Sequence, residues 1–163
     1  MKRTLLLASH ALCVLVGFAA GVYALPILIQ PTSPDISAVS KGADGILYHG
    51  TFERNRADSD FLHWGEGSIW LTENTLAFEG KLAPGPDYKV YLSSTFIETE
   101  ADFQRLKSQM INVGDVKTFD RFVVTFPADL PLDNYSSVIV WCETFGEFIT
   151  SAQLESVANL NQN

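Results

Sequence analysis

Val138-Ile139-Val140-Trp141-Cys142-Glu143-Thr144-Phe145-Gly146-Glu147-Phe148-Ile149-Thr150-Ser151-Ala152-Gln153-Leu154 is the stretch that decides what this chain builds. It opens as an apolar, β-branched run of the kind buried on both faces of a sheet. Gly146 breaks the pattern, and Phe148 to Leu154 resumes it with a spacing that suits a second strand. The pair reads as two closing strands of a β-domain, with the Cys142 thiol held at the turn between them.

Further strands precede it. Gly45 to Glu53 alternates as a first strand, and the charged run Arg54 to Asp60 is a loop. Ser68 to Thr72 and Thr75 to Phe78 form a hairpin around the turn dipeptide Glu73-Asn74. Pro84-Gly85-Pro86-Asp87 is a rigid turn, because proline cannot donate to a ladder. Tyr88 to Ser93 is the next strand. Thr99-Glu100-Ala101-Asp102 has the form of a capping box. Phe103, Leu106 and Met110 then share one helical face, which predicts a short amphipathic helix over about residues 100–110. Val113-Gly114-Asp115-Val116 reads as a turn, and Phe119 to Phe126 as a strand stopped by Pro127. Seven or eight short strands with turn signals every ~8–12 residues predict an all-β fold, a single β-sandwich or barrel with one helix.

The N-terminus has a different character. Lys2 and Arg3 are the only charges before Asp35, and Leu5 to Leu25 is almost wholly apolar. At ~1.5 Å per residue that run covers about 31 Å, close to the hydrocarbon thickness of a bilayer. Pro26 is expected to end the helix, with Pro31 and Pro34 keeping the following segment extended. The basic pair stays cytoplasmic, which predicts a single-pass membrane protein with a periplasmic or extracellular C-terminal domain. The alternative is a signal peptide cleaved after Val22-Tyr23-Ala24. The expected organisation is an anchor or signal peptide over 1–29, a tether over 30–44, a β-domain over 45–154 and a C-terminal tail over 155–163.

The chain of 163 residues holds 11 Lys and Arg against 19 Asp and Glu, a net charge of −8. Nucleic acid is a poor partner for such a chain, since phosphate binding needs clustered basic residues. An anionic lipid surface is disfavoured on the same ground. Cys13 lies in the apolar block and Cys142 in the exported part, so an internal disulfide is not expected. There is no Walker loop, no Cys-x-x-Cys, no paired-cysteine metal motif and no Gly-x-Ser-x-Gly elbow.

Cys142 is the first candidate for chemistry. A reactive thiolate needs basic neighbours, whereas Glu143 works against ionisation, and an unpaired cysteine is also a common core residue. His63 can ligate metal or haem and can carry protons. His63, Cys142 and Asp87 together would suit a transition metal, although a turn-capping Asp87 and a hydrogen-bonded His63 are the structural alternatives. His49 is a lesser candidate. Trp64, Trp70 and Trp141 could line a haem or a hopping path, or simply pack. Glu98, Glu100 and Asp102 open a helix, where the dipole accounts for them.

The order of these motifs is similar to the DM13 domain. His63 with Gly67, the hydrophobic hairpin, Gly85-Pro86-Asp87 before Tyr88 to Leu92, Gly114-Asp115-Val116-Lys117, and the closing strands around Trp141-Cys142 carry the resemblance over about residues 45–154. It implies a β-rich extracellular or periplasmic module for electron transfer or redox work, with Cys142 as the redox cysteine and a redox protein as partner. Haem and a transition metal are the candidate cofactors, with His63, Asp87 and Trp141 as cofactor-binding positions and His63 and Cys142 as metal ligands. Against it stands a non-enzymatic β-sandwich binding module in which Cys142 is structural. The first expectation concerns the anchor. The intact chain should sediment with membranes and require detergent for release, whereas a soluble species beginning at Leu25 would identify a cleaved signal peptide.

Overall fold

The computed structural model describes residues 2–37 and 45–160. Helix α1, Lys2–Ile29, is followed by β1 (Tyr48–Phe52), β2 (Gly65–Leu71), β3 (Thr75–Leu82) and β4 (Tyr88–Ser93). Helix α2 (Glu100–Leu106) runs on through a 3-10 turn, Lys107–Gln109, into β5 (Ile111–Val116) and β6 (Arg121–Thr125). The closing pair is β7 (Ser137–Cys142) and β8 (Glu147–Gln153), and a short β9 (Glu155–Ser156) leads into α3 (Val157–Leu160). One sheet has the order β6-β3-β2-β1-β9 and the other β5-β4-β7-β8, and their paired strands run antiparallel. The fold is all-β, a two-sheet sandwich with one short amphipathic helix on its flank.

Strand periodicity places the core. Val138, Val140 and Cys142 of β7 face the first sheet, where Phe52, Ile69, Leu71 and Phe78 complete a continuous apolar interior. Ile139 and Trp141 point the other way, into a second cluster with Tyr91, Phe103 and Phe148. Every residue of β7 is therefore buried. Helix α2 makes this so. The Thr99 hydroxyl accepts a hydrogen bond from the Asp102 N–H at 3.2 Å, acidic Glu100 and Asp102 occupy the first turn, and buried Phe103 is pressed onto the sheet. Phe103 lies flat on Trp141, with 3.9 Å between ring centroids and 11° between planes.

Two local expectations are corrected. Val113 to Val116 is no turn but part of β5, paired with β4. The pairing shifts register between Val90 and Tyr91, and Gly114, at φ 156°, sits opposite Val90 where the bulge forms. A glycine at a bulge carries the same sequence signal as a glycine at a turn. Pro26 likewise does not end α1, which continues to Ile29. One proline removes one ladder bond, and the prolines at 31 and 34 lie beyond the helix end.

Helix α1 is long and apolar enough to cross a membrane, and none of its apolar window is buried. Its last turns nevertheless lean on the domain, with Val22, Ala24 and Pro26 half-buried. The segment beyond follows the domain surface. Ile36 is buried at 3% exposure, and the Ser33 hydroxyl donates to the Asp120 carboxylate.

Gly67 opposes Gly80 across β2 and β3. It has φ 140°, and a Cβ there would stand 2.6 Å from Gly80 Cα, so only glycine lets the two backbones approach. The centre of the core is aromatic, with Phe78 stacked on Phe122 at 4.9 Å and tilted against Phe52 at 5.4 Å. Phe78→Ala is expected to cost about 3–5 kcal/mol of stability, read from urea unfolding of the purified protein.

Candidate functional site

Cys142 ends β7, opposite Tyr88 of β4 and Glu147 of β8. Two short segments meet around its sulfur. The β7–β8 turn closes with the Gly146 N–H donating to the Cys142 carbonyl at 2.9 Å, and Gly146 takes φ 71° to do so. Inside that turn the Thr144 and Phe145 N–H groups favour a negative sulfur. From the other side Cys142 Sγ donates to the Pro86 carbonyl at 3.1 Å. The Pro84–Asp87 turn is held in turn by Glu143, whose N–H donates to the Asp87 carbonyl at 3.1 Å. Gly85 lies over the ring of Tyr88, where a Cβ would come within 2.7 Å of Cζ. The buried Tyr88 hydroxyl donates to the Ala83 carbonyl at 3.0 Å, and burial pushes this phenol well above its ordinary pKa.

Burial also pushes the Cys142 thiol up. The two turn N–H groups pull it down, while Asp87 and Glu147 add to the rise, and the rise wins. The resting group is a neutral thiol that donates to Pro86, with backbone donors placed behind it should the sulfur become negative.

His63 belongs to the loop before β2. Asp60 organises that loop, its Oδ1 accepting from the N–H groups of Leu62 at 2.6 Å and His63 at 2.7 Å. Its Oδ2 lies 3.1 Å from His63 Nδ1. Burial would raise the Asp60 carboxyl, but these N–H groups and the imidazole outweigh it and hold it below the usual range. With Nδ1 engaged, Nε2 is the ring nitrogen left for a ligand.

Cys142, His63 and the Pro84–Pro86 turn line one cavity of about 380 Å³. Its remaining wall is apolar, with Tyr88 and Phe145 from the domain and Phe18, Val22 and Tyr23 from α1. The structure thus brings together three of the positions singled out in the sequence. It places two others elsewhere. The Asp87 carboxylate turns to Lys89 Nζ at 3.0 Å, and Lys89 also meets Asp115 at 2.8 Å. Asp87 itself has φ 53°, the left-handed conformation of a turn residue. Trp141 lies on the far face of β7, stacked on Phe103, and does not line the cavity. His49 borders a different, polar hollow beside Glu53 and Arg56. A larger hollow of about 460 Å³ under the 31–34 segment contains neither His nor Cys.

The contribution of α1 to the wall was not visible in the sequence, since it is a contact between distant segments with no local pattern. Phe145 was equally unmarked, although a large apolar residue in a turn was a faint sign.

Among the described residues no three His, Cys, Asp or Glu side chains converge to hold a metal ion. Cys142 and His63 are the two potential metal donors that line this cavity.

Residues 56–154 match the electron-transfer DM13 family, which is more than half of the chain. The chain belongs to that family. No curated protein and no solved structure matches it. The DM13 match includes β2 to β8, and with them Cys142, His63 and the Pro84–Pro86 turn, and leaves α1 and β1 outside.

On the helix-covered side of β7 lies a charged group. Lys107 Nζ contacts Glu143 Oε2 at 2.6 Å, and the Tyr91 hydroxyl donates to the same carboxylate. Burial would raise Glu143, but Lys107 and Tyr91 hold it below the usual range, while burial and Glu143 together push Tyr91 to about 12. This ties the β7–β8 turn to the end of α2.

The raised thiol pKa has a signed consequence. Cys142 folds neutral, so its contribution to stability is full below the ordinary thiol pKa of ~8.5 and declines as pH rises above it. Alkylation of Cys142 by iodoacetamide at pH 7.5 is expected to run slower than that of free cysteine, with its half-maximal rate at higher pH. Mass spectrometry of quenched time points measures both.

Proposed function

We propose that this DM13 protein is a membrane-anchored, extracytoplasmic electron-transfer accessory domain that handles a redox-active group in the cavity formed by Cys142, His63 and the Pro84–Pro86 turn. Family membership supports the redox role. The single observation that carries the site is the convergence of Cys142 and His63 on one mostly apolar cavity. The apolar wall lowers the local dielectric and strengthens the few polar contacts inside it. The reading assigns Cys142 the redox position, with the Thr144 and Phe145 amides stabilising a negative sulfur. It assigns His63, steadied by Asp60, the hydrogen-bonding and proton-carrying position. Among the candidate cofactors, the donor set favours an organic group over a metal ion. A haem would find its nitrogen ligand in His63 Nε2.

The anchor reading rests on the length and apolarity of α1. With Lys2 and Arg3 retained in the cytoplasm, the domain lies on the outer side.

A second reading has one observation in its favour. Cys142 is only 3% exposed and its thiol is held neutral, as expected of a structural cysteine in a non-enzymatic binding module.

Cys142→Ser separates the two. The exchange should cost about 1–2 kcal/mol of stability and leave the domain folded. Under the redox reading it abolishes electron transfer to or from a soluble mediator, followed by spectroelectrochemistry with the visible spectrum recorded for haem. Under the binding-module reading the variant loses stability alone, and wild type and variant show the same redox trace.

A further inference from the structure

The cavity is built from two parts of the chain with different solvents. One wall is β-domain loops and the other is α1, through Phe18, Ala19, Val22 and Tyr23. A hydrocarbon core of ~30 Å takes ~20 helical residues. Counted from Leu5, that span ends at about Ala24, so the wall from Phe18 to Tyr23 is the last turn and a half of the spanning segment, on its outer side. The cavity therefore lies where the domain meets the lipid.

The exposed side chains around it agree. Outside α1, the exposed large apolar residues among those described are Leu47, Phe61, Leu62 and Phe145. Three of the four belong to the two loops beside the cavity, and Phe61 is 81% exposed. An exposed apolar rim beside a spanning helix suits contact with lipid. The net charge of −8 gives no attraction to anionic headgroups, so this apolar rim is what favours a seat on the lipid.

The polar groups on the wall are few and specific. His63 offers Nε2, because Nδ1 is held by Asp60 at 3.1 Å, and Cys142 offers a thiol. An apolar enclosure with one or two hydrogen-bonding groups suits a ring that carries oxygen on an otherwise apolar body.

We propose that the cavity binds the ring of a membrane-dissolved quinone or hydroquinone, which enters from the outer leaflet between α1 and the Phe61–His63 and Thr144–Gly146 loops. His63 Nε2 hydrogen-bonds a ring oxygen, and Phe145, Tyr88 and Val22 enclose the ring. The assignment rests on the redox reading above and on α1 remaining attached, and it names the carrier with which that reading exchanges electrons.

The test uses the full-length protein in phosphatidylcholine nanodiscs and an azido-benzoquinone with a decyl tail as photolabel. Labelled peptides are mapped by mass spectrometry. Label is expected in α1 around residues 18–23 and in the two loops, and unlabelled decyl-benzoquinone should displace it. Ala19→Trp fills the cavity from the helix side at an exposed α1 position, so the β-domain should keep its melting temperature. It should lower labelling about tenfold, and His63→Ala should weaken it through the lost hydrogen bond. Labelling spread evenly along α1, labelling unchanged in Ala19→Trp, or displacement by a decyl chain without a quinone ring would each overturn the proposal, the last by showing a lipid-tail site. Failure here is distinguishable from failure of the redox reading. If the protein exchanges electrons with a soluble mediator yet the label does not concentrate at the cavity, the quinone assignment alone is wrong. If the label concentrates there while wild type and Cys142→Ser are equally inert to mediators, the site stands and the redox reading fails.

Discussion

The burial of β7 on both faces is the constraint on which the remaining structure depends. A strand whose every side chain is apolar or small cannot leave either face in water. Its inner face meets the first sheet through Val138 and Val140, and its outer face requires a cover, which α2 supplies through Phe103. Without α2, Ile139 and Trp141 would be a solvent-exposed patch. With it, the strand end is rigid, and Cys142 sits on that end as the last buried residue before the turn. Lys107 and Glu143 extend the same fastening from the end of α2 to the turn itself.

A rigid strand end changes what a buried cysteine can do. Burial alone makes a thiol inert, because the anion is poorly solvated. Here burial is opposed by the Thr144 and Phe145 N–H groups of the turn, which favour a negative sulfur. The result is a neutral thiol beside a prepared anion-stabilising group. His63 is prepared in a comparable way, since Asp60 fixes both the loop and one ring nitrogen. A thiol and an imidazole thus face one apolar space.

Much of the fold was legible from local pattern. The hairpin of β2 and β3, the rigid Pro84–Asp87 turn, the Thr99 cap and the closing pair β7 and β8 each follow from residues close in sequence. The misreadings were local as well. Gly114-Asp115 signals a turn as strongly as it signals a bulge, and only the partner strand tells them apart. Pro26 signals a helix end, yet α1 tolerates it three residues from its terminus.

By itself the sequence determined the β-class of the domain, the apolar N-terminal helix, and the short set of residues able to carry chemistry. Periodicity, proline and glycine positions and charge are properties of neighbours, so they can be read along the chain. Tertiary structure alone decided which of those residues share a site. Cys142 and His63 meet because β7 and the loop before β2 end at the same edge of the sandwich, whereas Asp87 turns to Lys89 and Trp141 to Phe103. The alternation of a strand puts adjacent residues on opposite faces, which is why Trp141 and Cys142, neighbours in sequence, belong to different parts of the molecule. The α1 wall of the cavity likewise exists only after folding, since no local pattern in an apolar helix records which loops it will touch.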